Sequence, residues 1–423
     1  MNKRTKTALR RWCLYGWTFA KWTMAASAIG VVCGLIGTMF HFGVHEVTAF
    51  RGTHPWVLYL LPLAGFVIVS FYKLTETDGL GTDDIIDAVH EGKRLPILLL
   101  PAIFFGTVLT HLCGGSAGRE GAALQMGGTI GQCMGRTFRL DDRDLRVATL
   151  AGMAAFFSAL FGTPLAATVF AIMVISIGVI YHVALYPSLL AALVAYGVSV
   201  RLGVEPTRFT VAVPDQSVGM FVRVAALGVL CALVSILFCK LMHGAGHLMK
   251  RIKNPWLRVI CGGFAVIALT WVFGTDYNGA GMDIVTRAIE QETVAVPWAF
   301  LLKLVFTAVT LAAGFKGGEV VPSFFVGATF GCAVSPLLGL PVGFGAAVGL
   351  AAVFCGVTNC PVASTLLAVE LFGAEGMLYF ALACCLSYML SGYQGLYSSQ
   401  TILYSKLKAQ FINVHTNAYH AGE

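Results

Sequence analysis

The sequence is poor in charged residues and lacks the short motifs that mark metal and redox sites. Only 12% of its 423 residues are Asp, Glu, Lys or Arg, whereas soluble globular proteins have about 25%. The twelve cysteines form no C-x-x-C pair, and H-E-x-x-H does not occur. These absences exclude an ordinary soluble protein and give no indication of a metal site or a cofactor.

Apolar residues dominate what is present. They make up 57% of the chain, and the mean hydropathy of +0.79 is typical of a polytopic protein embedded in a lipid bilayer. Several apolar stretches are shorter than the roughly 20 residues of a full span, or are cut by Gly and Pro. We therefore expect an all-α membrane protein with broken and re-entrant helices.

The basic residues indicate topology. Five Lys or Arg lie between residues 3 and 11, ahead of the first apolar stretch, and Lys406 and Lys408 lie near the C-terminus. The positive-inside rule places both termini in the cytoplasm of a plasma (inner) membrane that the chain crosses several times. The net charge of +7 is then explained by anionic lipid, with no need for nucleic acid.

The chain contains an internal repeat with an offset of 200 residues. Residues 79–83 (GLGTD) recur at 279–283 (GAGMD), and residues 118–122 (GREGA) align with 318–322 (GEVVP). Blocks in the same order at constant spacing indicate duplicated structure. The sequence thus divides into a cytoplasmic basic arm over 1–19, a first transmembrane repeat over 20–200, a linker over 201–217, a second transmembrane repeat over 218–400 and a short cytoplasmic tail over 401–423.

The repeat predicts the architecture of the site. If each half crosses the membrane an odd number of times, the second repeat is inverted relative to the first. Matching glycine-rich breaks then enter from opposite faces and meet near the midplane, as in transporters whose half-helices surround a substrate. We expect four breaks, at Gly79, Gly118, Gly279 and Gly318, to converge on one anion.

Two charged residues, Arg119 and Glu120, stand in the glycine-rich stretch 114–122 between apolar runs. A charge at the bilayer centre costs about 3 kcal/mol on mild insertion scales, so an intramembrane carboxylate suggests a functional site. The first amides of a helix that restarts after such a break form an anion site. We interpret Glu120 as a carboxylate poised where an anion binds; a structural pair with Arg119 is the alternative.

These residues resemble the CLC family of chloride channels and anion/proton antiporters. Residues 118–121 match the family's G-R-E-G-P loop, with Ala122 in place of proline, while 318–322 resemble its G-x-F-x-P loop and 79–81 its G-S-G-I-P loop. The resemblance implies a homodimer of about eighteen helices per subunit, each subunit with its own pathway. It also implies anion-binding roles for Leu80, Gly81, Gly118, Arg119, Gly121, Gly318, Val320, Val321 and Tyr397.

Three departures from the chloride-type pattern are informative. Leu80 replaces the serine whose hydroxyl contacts the anion, and the Phe-Ala-Ile sequence at 170–172 leads into Met173 and Val174 without the second proton glutamate of chloride/proton exchangers. Glu319 occupies a loop position where chloride-type members have an apolar residue. Together these features resemble the fluoride-exporting branch of the family, which exchanges fluoride for protons.

Fluoride requires strong donors to replace its water. Helix-end amides, the Tyr397 hydroxyl and a protonated Glu319 are suitable donors, and ionised Glu120 competes with the anion for its site. The alternatives are that Glu319 pairs with Lys303 or Lys316, that Tyr397 is structural, and that the protein is a chloride/proton exchanger or passive anion channel. An enzyme with Glu120 and Glu319 as a carboxylate pair is a further alternative, but hydrolysis does not require an inverted repeat.

Overall fold

The computed structural model describes residues 3–293, 296–408 and 410–417. This part of the chain contains sixteen α-helices, so the prediction of an all-α membrane protein is confirmed. Seven helices in it are long and apolar enough to cross a membrane. The helices are α1 Lys3–Thr53, α2 Leu61–Leu74, α3 Thr82–Glu91, α4 Leu99–Leu112, α5 Glu120–Thr137, α6 Asp142–Phe161, α7 Pro164–Met173, α8 Leu185–Arg201, α9 Val218–Met249, α10 Pro255–Phe273, α11 Met282–Glu290, α12 Ala299–Ala313, α13 Val320–Leu338, α14 Val342–Thr358, α15 Pro361–Phe372 and α16 Met377–Leu390.

The helices of the two halves correspond in order. Helices α3, α4, α5 and α6 begin 200 residues before α11, α12, α13 and α14, as the repeat predicts. In both halves the pair that carries the glycine-rich loop is packed backbone to backbone: a methyl group on Gly131 would lie 2.1 Å from the Ala148 carbonyl oxygen, and one on Gly331 would lie 2.2 Å from that of Gly345. Small residues allow this close approach of membrane helices.

Helix α7 begins at a proline and is capped from the other half of the chain. Pro164 occupies its first turn, where a missing amide hydrogen costs nothing. The carboxylate of Glu370, on α15, accepts hydrogen bonds from the amides of Leu165 at 3.1 Å and Ala166 at 2.8 Å. These bonds satisfy two of the unpartnered amides at the helix start and account for a carboxylate on an apolar helix.

The helix count and the C-terminal tail differ from expectation. The resemblance implies about eighteen helices, whereas the described residues form sixteen; no helix follows α16, because the chain turns at Gly392, with φ of 61°, and continues as strands. Strand β2 (Thr401–Tyr404) pairs in parallel with β1 (Ser176–Ile177) and antiparallel with β3 (Phe411–His415). The ammonium group of Lys406 donates to the Tyr388 carbonyl at 3.1 Å, so this residue anchors the tail.

Candidate functional site

The two glycine-rich loops are hydrogen bonded to each other at equivalent residues. The Gly118 amide donates to the Gly318 carbonyl at 2.8 Å, and the Gly318 amide donates to the Gly118 carbonyl at 2.7 Å. A second symmetric pair flanks them, since the Ser116 and Lys316 amides donate to threonine hydroxyls on α12 and α4 at 3.1 and 3.2 Å. The Gly118 and Gly318 amides, both predicted to contact the anion, therefore each donate to the carbonyl of the other glycine.

Glu120 is the first residue of α5 and is only 1% exposed. Its Oε2 atom accepts a hydrogen bond from the Arg119 amide at 2.9 Å, and its Oε1 atom lies 3.4 Å from Nε of Arg119. The carboxylate thus closes over the start of its own helix, where amides attract an anion. The pairing with Arg119, which was the alternative interpretation of Glu120, is present in the same geometry.

Arg119 has a second partner that the sequence did not reveal. Its Nη1 atom lies 3.1 Å from Nδ1 of His41 on α1, so the ring nitrogen accepts a hydrogen bond from the guanidinium. His41 stands 78 residues before Arg119, and no motif joins them. The contact helps to orient the guanidinium that pairs with Glu120.

A cavity of about 310 Å³ adjoins this crossing and holds four of the predicted site residues: Leu80, Gly81, Glu319 and Tyr397. It lies between the end of α2 and the starts of α3 and α4. The other seven predicted residues do not line it and lie at or beside the crossing: Gly118, Arg119, Glu120, Gly121, Gly318, Val320 and Val321. The structure therefore divides the predicted site between a cavity and the junction next to it.

Tyr397 contributes a buried hydroxyl to this cavity. The residue is 3% exposed, and its hydroxyl has no hydrogen-bond partner among the described residues. Its backbone is held on both sides, because the Leu396 amide donates to the Val357 carbonyl at 2.9 Å and the Ser399 amide donates to Oδ1 of Asp83 at 3.0 Å. A buried donor without a partner is costly, and a bound anion in the cavity would satisfy it.

Glu319 immediately precedes α13 and lines the same cavity. No Lys or Arg nitrogen of the described residues lies within 4.0 Å of its carboxylate oxygens. Lys303 instead donates to the Gly279 carbonyl at 2.6 Å, and the Lys316 ammonium lies 4.1 Å from the ring centroid of Tyr72. The alternative that Glu319 pairs with either lysine is therefore wrong for this structure.

The loop at residues 79–81 is followed by a hydroxyl that is not among the predicted site residues. The Gly81 amide, predicted to face the anion, donates to Oδ2 of Asp84 at 2.8 Å. Thr82, the next residue, accepts a hydrogen bond from Nε2 of Gln125 at 2.9 Å and lines the cavity. Because its oxygen is already an acceptor, the hydroxyl proton of Thr82 is free to donate. Thr82 therefore provides, two residues after Leu80, the kind of group that Leu80 lacks.

The fourth glycine-rich break does not join the other three. Ala280 and Gly281 line a different cavity, of about 360 Å³, together with Arg51 near the end of α1. The first cavity includes Tyr72, near the end of α2, the helix that returns across the bilayer after α1. The two cavities thus open toward opposite faces, and the expectation that all four breaks converge on one anion is wrong.

The two glutamates are not at equivalent positions of the repeat. At the offset of 200 residues Glu120 corresponds to Val320, and Glu319 corresponds to Arg119. Glu120 therefore lies inside the first turn of α5, whereas Glu319 precedes the first turn of α13. Glu319 nevertheless reaches the start of α5, because a methyl group on Gly121 would lie 3.4 Å from its Oε2 atom.

Residues 114–118 read Gly-Gly-Ser-Ala-Gly and so match the G-x-S-x-G pattern of serine hydrolases. Ser116 is completely buried, and its hydroxyl lies 3.0 Å from that of Thr307 on α12. The stretch follows helix α4 and not a strand, so it is no nucleophile elbow. Ser116 joins the two repeats and offers no exposed nucleophile.

Residues 63–392 match the family model described as voltage gated chloride channel. A chloride/fluoride channel protein from Pseudomonas syringae pv. tomato is 39% identical over 399 residues, which covers 92% of this chain and 88% of the relative. An H⁺/Cl⁻ exchange transporter from Vibrio campbellii is 25% identical over 382 residues, covering 82% of this chain and 81% of the relative.

Two solved structures have the same fold. A CLC-type fluoride/proton antiporter superimposes with a TM-score of 0.88 at 32% sequence identity, covering 91% of this chain and 99% of that chain. A slow cyanobacterial Cl⁻/H⁺ antiporter gives a TM-score of 0.75 at 19% identity over 88% of this chain and 94% of that chain, a likeness of fold. The expected architecture of two inverted repeats with broken helices is thereby confirmed.

Proposed function

Because this chain belongs to the voltage-gated chloride channel (CLC) family, a family of channels and transporters, we propose that it is a fluoride/proton antiporter that exports fluoride. The 39% identical chloride/fluoride channel protein and the 32% identical fluoride/proton antiporter support fluoride as the substrate. A family of transporters also argues against the alternative of a membrane enzyme with a carboxylate pair.

The observation that carries the proposal is the unpartnered hydroxyl of Tyr397 in a cavity that also holds Glu319 and Thr82. Fluoride accepts hydrogen bonds more strongly than chloride and loses more hydration, so its site needs several strong donors. Two hydroxyls and a protonated carboxylic acid supply three. An ionised carboxylate supplies none, so fluoride binding here favours a protonated Glu319 and links the anion to a proton.

Glu120 acts as the gate in this proposal. Its ionised carboxylate holds the Arg119 amide and guanidinium, the contacts an anion would otherwise use. Protonation removes the negative charge, so the ion pair with the guanidinium is lost. The hydrogen bond from the Arg119 amide then weakens from about 1.5–3 kcal/mol, for a charged acceptor, to about 0.5–1.5 kcal/mol. The neutral side chain can then rotate away, so that fluoride enters as the proton is taken up.

Proton movement requires no separate internal carboxylate in this scheme. Val174 is completely buried, and its carbonyl accepts a hydrogen bond from Nε2 of Gln400 at 2.8 Å. Glu120 and Glu319 carry the protons themselves in this proposal, and Glu319 exchanges its proton with the cavity that it lines. Each cycle then moves fluoride outward and protons inward, driven by the proton gradient of a plasma membrane.

A passive anion channel or a chloride/proton exchanger is the second candidate. The observation that favours it is the name of the 39% identical relative, which includes both chloride and channel. Glu120 serves a channel as well as an exchanger, whereas Leu80 and Glu319 favour fluoride exchange. Anion selectivity and proton coupling together separate the candidates.

The deciding experiment measures fluoride and chloride efflux from liposomes that contain the purified protein, with external pH recorded at the same time. We expect fluoride efflux to drive protons uphill into the liposomes, with much slower chloride efflux. Equal fluxes of both anions without proton movement would establish a channel and refute the proposal. Proton-coupled chloride flux above the fluoride flux would establish the chloride exchanger.

We further infer a homodimer in the lipid bilayer with both termini cytoplasmic. Leu165 on α7 and Val362 on α15 occupy equivalent positions of the repeat and are each 49% exposed. They give the paired helices an apolar outer face that a second subunit can cover. Crosslinking of Leu165→Cys in membranes tests the pairing, and accessibility of an N-terminal tag in inside-out vesicles tests the orientation.

A further inference from the structure

A third cavity, of about 240 Å³, lies at the C-terminal ends of α3 and α5, far from the helix starts that form the anion site. Three arginines line it: Arg94, Arg136 and Arg146. Its volume is below the roughly 300–1,000 Å³ of pockets for drug-sized ligands, so it suits a small anion or a single head group. The fluoride/proton mechanism uses none of these residues.

The three guanidinium groups have no acidic partner. No carboxylate oxygen of the described residues lies within 4.0 Å of them. The neighbouring lysines, in contrast, are paired: Lys93 lies 2.9 Å from Glu91, and Lys21 contacts Asp144. Asp142 also lines the cavity; it and Arg94 are exposed, whereas Arg136 and Arg146 are half-buried. Three arginines and one aspartate thus give the cavity lining a net positive charge, and none of the three guanidinium groups is paired with a carboxylate.

The cavity is held in shape by a buried amide. Gln132 is 3% exposed; its Oε1 atom accepts from the Leu95 amide at 2.8 Å and from the Arg136 guanidinium, and its Nε2 donates to the Lys93 carbonyl at 2.8 Å. One side chain therefore fixes both the loop that carries Arg94 and the position of Arg136.

Of the three cavity arginines, Arg146 has the least favourable position within the protein itself. It lies in the second turn of α6, near the positive end of the helix dipole, where a cation is unfavourable. Its Nε atom is buried without a hydrogen-bond partner among the described residues. Arg136, by comparison, stands in the last turn of α5, where the helix dipole favours a cation.

We propose that this cavity binds a phosphate group, held by Arg94, Arg136 and Arg146. Guanidinium groups form paired hydrogen bonds to phosphate oxygens, and three of them can neutralise a phosphate group in an ester or in a free phosphate. The group can belong to a soluble phosphate compound or to an anionic lipid. The contact between Lys21 and Asp144 places the cavity on the face from which α1 enters the membrane, where either source is available.

The test compares two double variants with the same loss of charge. Arg94→Gln/Arg146→Gln removes two cavity arginines and leaves the bond between Gln132 and Arg136 intact. Arg139→Gln/Arg143→Gln removes two exposed arginines from the adjoining segment, outside the cavity. Both variants are expected to keep the wild-type melting temperature and fluoride efflux, which verifies that they fold.

Two probes distinguish the sources of phosphate on the purified full chain. Inorganic pyrophosphate is titrated calorimetrically in a neutral detergent, and phosphatidylglycerol or phosphatidylcholine is added before native mass spectrometry. We expect at least one phosphate probe to bind the wild type and the Arg139/Arg143 control equally, and the Arg94/Arg146 variant at least tenfold more weakly. Binding of pyrophosphate identifies a soluble ligand, and retention of phosphatidylglycerol alone identifies a lipid.

Three outcomes would overturn the proposal. The first is that neither probe binds the wild type. The second is that both double variants lose binding equally, because equal loss would indicate general attraction to a basic face. Equal retention of phosphatidylglycerol and phosphatidylcholine, without pyrophosphate binding, would likewise show that the site does not select an anionic phosphate ligand over a zwitterionic one.

Discussion

Replacing Tyr397 with Phe should weaken fluoride binding without destabilising the protein. The hydroxyl is buried and has no described partner, so the unliganded protein loses no hydrogen bond in the variant. A hydrogen bond to a charged acceptor contributes about 1.5–3 kcal/mol. At 1.4 kcal/mol per factor of ten, fluoride affinity should fall about 10- to 150-fold. Chloride, the weaker acceptor, should lose less, so selectivity should fall as well.

Tyr379→Phe is the matched control. Tyr379 is also completely buried, but its hydroxyl donates to the Asp215 carbonyl at 2.9 Å. Removing this hydroxyl leaves an acceptor without its partner and should lower stability by about 1 kcal/mol. Fluoride affinity should stay at the wild-type value. Tyr397→Phe should therefore lower the fluoride affinity and leave stability unchanged, whereas Tyr379→Phe should lower stability and leave the fluoride affinity unchanged.

The assays are fluoride titration calorimetry and thermal melting of the purified protein in the same detergent. We expect the Tyr397 variant to melt at or above the wild-type temperature with much weaker fluoride binding. A lower melting temperature with unchanged fluoride affinity would refute the reasoning, because it would show that the Tyr397 hydroxyl has a structural partner and no ligand.

Three further substitutions test the site. Glu120→Gln mimics the protonated gate and should abolish exchange or leave a fluoride leak without proton movement; coupled transport at the wild-type rate would remove Glu120 from the mechanism. Glu319→Gln should fold normally but weaken proton coupling or fluoride preference in the liposome assay, and unaltered selectivity and coupling would make Glu319 structural. Gly121→Ala places a methyl group 2.7 Å from Cα of Gly318 and should lower the free energy of unfolding by more than about 2 kcal/mol, measured as a lower melting temperature. Its control is Gly197→Ala, in open space on α8, which should be neutral or stabilising. Equal melting temperatures for the two variants would contradict the close packing at Gly121.

The repeat could be predicted from the sequence because the residues that identify it are glycines, which are needed where two backbone segments touch. Gly118 and Gly318 must be small where the two loops touch, so they persist in both halves, and their offset predicted the helix order and the central crossing. The repeat did not reveal, however, that the fourth break lies apart from the other three. Equivalent residues of inverted repeats face opposite sides, so Gly81 and Gly281 line different cavities.

The long-range polar contacts were not readable, because they join residues that share no pattern. His41 reaches Arg119 from α1, and Lys303 turns to the Gly279 carbonyl instead of a glutamate. Which polar side chain meets which is decided by helix packing, and a single sequence gives only the helices. Thr82 was missed for a related reason. Most threonines in membrane helices bond the backbone of their own helix, whereas the Thr82 hydroxyl accepts a hydrogen bond from Gln125.

The displacement of the two glutamates by one residue makes the two halves of the junction unequal. Two identical halves related by an axis in the membrane plane would present the same chemistry to both compartments, and inside and outside would be interchangeable. With Glu120 in the first turn of one helix and Glu319 just before the other, the two faces of the junction differ. In the proposed antiporter, the entrance and the exit of the anion path would therefore not be chemically equivalent.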